Sequence, residues 1–152
     1  MLKINDRFTR GWVAGTCGGL LGGIFSFLPY SVGISTLRLT DWSAILVFGR
    51  TPPFSFFDEL YALGVLAGTV GGVGILFAFL LPLISEKMIY FKGWIIFLIP
   101  WGIIYLLTAL AKTEGTLNLP VMTTLSNGIS TSIIGLASVY FYQLLESKSK
   151  SE

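Results

Sequence analysis

Charged residues in this chain are confined to the gaps between four long uncharged windows. All eighteen lie outside Gly11 to Leu37, Leu60 to Ser85, Gly93 to Ala111 and Gly115 to Leu145. Crossing a hydrocarbon core of about 30 Å takes roughly 20 mostly apolar residues in a helix. Each window supplies that length, the third only just. Lipid offers the backbone no hydrogen-bond partner, so every crossing has to be helical. The pattern predicts an all-α fold: an integral membrane four-helix bundle forming a single membrane domain over residues 1–152, with spans near 8–35, 57–84, 93–111 and 121–145.

Prolines punctuate these spans. Pro29 removes a backbone hydrogen bond late in the first and predicts a kink there. Pro82 bends or ends the second. Pro100 sits near the middle of the third, where neighbouring helices re-satisfy the freed carbonyl, and Pro120 suits the first turn of the fourth. Ser55 followed by Asp58 resembles a capping box opening the second span, and Asp58 and Glu59 favour a helix N-terminus through its dipole. The stretch from Leu39 to Phe57 is too long for a tight turn and too short to span. Thr40 or Asp41 can cap a short helix over 41–49. Its Trp42, Ile45, Leu46 and Gly49 fall at i, i+3, i+4 and i+7 on one apolar face, and Pro52-Pro53 stops it. The expectation is a short interfacial helix between spans 1 and 2. The alternative is a re-entrant piece or lid covering a cavity between spans.

Small residues recur at helical spacing. Gly11, Gly15, Gly19 and Gly23 are four apart in the first window, with Gly18 and Gly22 in a second register beside them. At about 100° per residue, these six share an arc of roughly 140°. Gly64, Gly68 and Gly72 repeat the device in the second window; Gly71 joins their arc and Gly74 lies outside it. Such spacing lets helices in lipid approach until dispersion and Cα–H contacts act. These glycines are the candidate packing residues, expected to join the first two spans or, through one ladder, two copies of the chain. The fourth window carries a polar stripe of Thr123, Asn127, Ser130, Thr131 and Ser138, within about 100° of one another. Leu125, Ile129, Ile133 and Leu136 lie opposite. The stripe reads as interhelical hydrogen bonding or as the wall of a hydrated path.

Composition narrows the function classes. Only 12% of residues are charged, against about 25% in a soluble domain. A net charge of +2, with basic residues scattered among tails and loops, does not describe a nucleic-acid surface. Histidine is absent, and with it the commonest general base and transition-metal ligand. Cys17 is the sole cysteine, so no CxxC pair exists. No charge lies deep in a window, whereas proton-coupled carriers use an intramembrane carboxylate or histidine. No enzyme activity, metal or cofactor is expected. The expected partners are membrane lipid and a second copy of the chain or another membrane protein, with no nucleic acid. The N-terminal tail, second loop and C-terminal tail hold seven Lys and Arg (Lys3, Arg7, Arg10, Lys87, Lys92, Lys148, Lys150); the other loops hold three (Arg38, Arg50, Lys112). The positive-inside rule then puts both termini in the cytoplasm.

Four stretches carry a resemblance covering most of the chain. They are Arg7-Phe8-Thr9-Arg10-Gly11 leading into the glycine ladder, Asp41-Trp42 through Gly49-Arg50, Phe91-Lys92-Gly93-Trp94, and Ser126-Asn127-Gly128-Ile129-Ser130. In order and spacing the chain resembles a family of small four-span membrane proteins of Gram-positive bacteria, mostly clostridia and relatives. The resemblance implies a location in the bacterial cytoplasmic membrane and no established activity, and it supplies no functional residues. The function expected is non-enzymatic: a structural, assembly or partner-binding role. The alternative is a small channel or facilitator for a neutral or weakly polar solute or lipid.

Overall fold

The computed structural model describes residues 6–84 and 87–150; Lys3 of the basic tail and Ser85 at the end of the second window lie outside them. The described residues form helices α1 (Arg7–Phe25), α2 (Phe27–Ser31), α3 (Leu39–Phe48), α4 (Phe56–Leu80), α5 (Ile89–Leu110) and α6 (Val121–Lys150), with no strand among them. Four stretches, Arg7–Ser31, Phe56–Leu83, Ile89–Leu110 and Val121–Ser147, are long and apolar enough to cross a membrane.

Local chemistry sets the helix ends. The Thr9 N–H donates to Asp6 Oδ1 at 2.7 Å and opens α1. That bond to the charged form draws the Asp6 carboxyl below its usual range. The kink expected from Pro29 takes the form of a break at Ser26. Pro29 has no N–H for the carbonyl of Phe25, four residues back, and its ring crowds that carbonyl. Phe25 is accordingly the last residue of α1, and the Ser26 hydroxyl turns back to the Gly23 carbonyl at 2.6 Å. Before α4 the capping box is reciprocal: Asp58 N–H donates to Ser55 Oγ at 3.2 Å, and Ser55 N–H to Asp58 Oδ2 at 2.9 Å. Past Leu80 the chain tightens into a 3₁₀ turn, Leu81–Leu83, around Pro82. Pro100 is accommodated inside α5 without a break.

α1 is the central helix, packed on α4 along one side and on α6 along the other. α5 leans on α6 and meets α4 in few places, among them the Phe77 and Phe97 rings at 6.2 Å. Tyr142 closes the same core edge-on to Phe77 at 5.6 Å.

The glycines of α1 divide between its two neighbours. A Cβ at Gly11 would lie 2.5 Å from the Gly74 carbonyl oxygen, one at Gly19 2.9 Å from Ala67 Cα, and one at Gly23 2.6 Å from Leu63 Cδ1; one at Gly15 would strike the Val70 carbonyl. Gly18 and Gly22 face Ser138 and Ile134 of α6 instead. On α4 the expected seam is displaced. Gly64, Gly68 and Gly72 have nothing within 4 Å, whereas Gly71 meets Thr16 and Trp12 and Gly74 meets Gly11 and Gly15. Gly74 stands roughly 120° round the helix from Gly68. The buried side of α4 is the one that also carries Ala67, Val70, Phe77 and Ala78: the large side chains choose the face, and the small ones on it admit α1.

Candidate functional site

The short helix between the first two spans, expected at the membrane interface or as a lid over a cavity, is folded onto the bundle. Leu39, Thr40, Asp41, Trp42, Ala44 and Ile45 of α3 are buried. Arg38, directly before it, holds it there. Its N–H donates to Asp41 Oδ2 at 2.7 Å, and its Nη2 donates to Asp41 Oδ1 at 2.7 Å and to Glu59 Oε1 on α4 at 2.6 Å. The Phe27 and Tyr30 rings face the guanidinium at 4.5 and 4.8 Å. Burial opposes the Arg38 charge, but the hydrogen bonds to Asp41 and Glu59 outweigh it and hold its pKa above the usual range. Asp41 thus acts in the first turn and Thr40 caps nothing; its hydroxyl is buried without a partner. Glu59, expected to serve the helix dipole, is an ion-pair partner. Asp58 caps α4 and also meets Arg50 at 2.5 Å, an exposed pair that solvent screens.

Beneath α3 lies a cavity of about 90 Å³ bounded by α3, α4, α5 and α6. One wall is aromatic. Trp42 from α3 stacks on Tyr105 of α5 with centroids 4.2 Å apart, and Trp101 packs on the same tyrosine at 4.8 Å. The Trp101 indole N–H is buried and makes no hydrogen bond, while that of Trp42 lies against the Tyr105 hydroxyl. An unmet buried donor costs about 1–3 kcal/mol. Trp94, one turn and more before Trp101, differs: its N–H donates to Ser132 Oγ at 2.8 Å. Thr69 and Thr131 border the cavity, but their hydroxyls donate to the Val65 and Asn127 carbonyls of their own helices.

The polar stripe of α6 is buried throughout, with Leu125, Ile129 and Leu136 exposed opposite it. Its members do not converge on one point. Thr123 accepts from the Thr36 N–H at 2.9 Å, and Asn127 Nδ2 donates to the Tyr105 hydroxyl at 3.1 Å. Ser130 donates back to the Ser126 carbonyl at 2.9 Å, and Ser138 faces Gly18 with no hydrogen bond. Of the five, Thr131 borders the cavity. Sequence reasoning singled out Trp42 for its apolar face but passed over Arg38, Trp101 and Tyr105. The available signal was Trp101 and Tyr105 at i and i+4 on an otherwise aliphatic stretch of helix.

Comparison of the chain with family models, with curated proteins and with solved structures finds no match.

Proposed function

We propose that this chain is a multi-pass integral membrane protein of a bacterial cytoplasmic membrane, with both termini in the cytoplasm. It acts without catalysis, by binding a partner within the bilayer. The observation that carries this reading is the hydrogen bond from Asn127 Nδ2 to Tyr105 at 3.1 Å. Asn127 is the most costly stripe residue to leave unsatisfied in an apolar medium, and it joins α6 to α5 rather than lining an open path. The back-bonded hydroxyls of Ser130 and Thr131 support the same reading: they need no water.

Proteoliposomes carrying the parent chain are expected to show no swelling with small neutral solutes. Asn127→Leu is expected to create none and to lower stability by about 1 kcal/mol. Reproducible swelling with the parent that disappears in Asn127→Leu would replace the binding role with a channel.

A further inference from the structure

We infer that the N-terminal end of α1 binds the phosphate of an anionic phospholipid, to which Arg10 donates from its terminal Nη groups. The inference rests on the membrane reading above and names the class of partner. Three observations lead to it. First, Arg10 is only 8% exposed, yet among the described residues its side chain makes no hydrogen bond and no ion pair. Buried charges are ordinarily paired. The Tyr142 ring stands 6.0 Å from its Cζ, at the limit of cation–π attraction. Asp6, one turn before, has its carboxylate engaged by the Thr9 N–H at 2.7 Å. The Arg10 Nε is sealed in the bundle without a partner, so the Nη groups are the part of the guanidinium that opens to the surface. Second, the surrounding charge calls for an anion. Arg7 and Arg10 both stand in the first turn of α1, which holds no acidic residue. The helix dipole is positive at that end and disfavours cations, and the Asp6 cap offsets one of the two. An anion from outside the chain answers both arginines and the dipole. Third, Trp12 is exposed two residues after Arg10. Tryptophan collects at headgroup level, and the anion at that depth is lipid phosphate. A guanidinium fork takes two phosphate oxygens at once. A glycerol headgroup suits the place better than choline, whose cation would be set beside Arg7.

The test uses the full chain in lipid-free dodecyl maltoside micelles, with ¹⁵N in its four arginines. Arg10→Lys removes one Nε–H resonance and thereby assigns it. Dioctanoylphosphatidylglycerol, dioctanoylphosphatidylcholine and inorganic phosphate are titrated separately. Phosphatidylglycerol is expected to move the Arg10 resonance to saturation. The Arg38 and Arg50 resonances, from side chains already tied to carboxylates, stay in place. Native mass spectrometry of the same samples counts the bound lipid. Arg10→Gln is expected to weaken that binding about tenfold. Arg50→Gln removes the same charge at the other end of the bundle and is expected to bind as the parent does. Should Arg10→Gln fail to fold, the Arg10 resonance of the parent chain decides. The inference is overturned if phosphatidylglycerol leaves that resonance unmoved, if phosphatidylcholine or inorganic phosphate moves it at equal concentration, or if folded Arg10→Gln binds as tightly as the parent. Swelling in the proteoliposome assay would remove the non-transporting role yet leave this titration standing, so the two failures are distinct.

Discussion

A Cβ at Gly74 would collide with the Gly11 carbonyl oxygen, while one at Gly64 or Gly68 would meet nothing within 4 Å. The same substitution should therefore change sign along one helix. Gly74→Ala forces the α1–α4 contact apart and is expected to cost about 1–3 kcal/mol, the range for overpacking a close contact. Gly64→Ala and Gly68→Ala fill open space and gain up to about 1 kcal/mol from helix propensity. Denaturant titration of the three variants in micelles reads the difference, and a uniform loss across them would refute the seam. Spacing of glycines alone did not reveal this, because Gly64, Gly68 and Gly72 satisfy the four-residue rule as well as the true contact does. What decides is the whole face. Counting alanine as small brings out Ala67, Gly71, Gly74 and Ala78, a four–three–four spacing on the side that Phe77 buries. Gly49 has a different reason to be glycine: it ends α3 at φ 63°, where a side chain would strain the backbone.

α3 shows where local reasoning stops among the elements. Its existence, its apolar face and its glycine end are written in ten consecutive residues, and so are the Ser55–Asp58 cap and the break that Pro29 imposes. Its position is not. That depends on Arg38 reaching Glu59, 21 residues on, and on the Phe27 and Tyr30 rings beneath the guanidinium, contacts that no periodicity encodes. Removing one member of a buried ion pair costs about 3–5 kcal/mol, because the partner is left charged and unpaired. Asp41, 2% exposed, is such a partner. Arg38→Gln is therefore expected to loosen α3 while the four long helices persist. A cysteine at Ala44, itself 1% exposed, reports this in a Cys17→Ser background. Its reaction with a thiol reagent should speed up by about two orders of magnitude when Arg38 is Gln. Glu59→Gln should act more weakly, since Glu59 is partly solvated. Unchanged reactivity in Arg38→Gln would mean that the apolar face alone secures the helix.

The molecule as a whole was legible in its coarsest feature. Four apolar runs of span length, separated by charge, give four long helices because length and apolarity are properties of a segment and need no knowledge of its neighbours. The order of packing, with α1 at the centre and α5 reaching mainly α6, depends on surfaces meeting across the bundle and was not legible. Charge asymmetry links the two scales. On the α3 side, two of the three basic residues are tied to carboxylates, Arg38 to Asp41 and Glu59 and Arg50 to Asp58. Among the described residues, the opposite side holds six, Arg7, Arg10, Lys87, Lys92, Lys148 and Lys150. Lys and Arg near the ends of spans retain their flank in the cytoplasm, so the proposed orientation has the α3 end outside. Single cysteines at Thr51 and Leu117, both exposed on that end, should react in intact cells with a membrane-impermeant thiol reagent in the Cys17→Ser background. A cysteine at Ser149, exposed near the end of α6, should react only after the cells are opened. Labelling of the Ser149 position in intact cells, or protection of both others, would invert the orientation and place the α3 end in the cytoplasm.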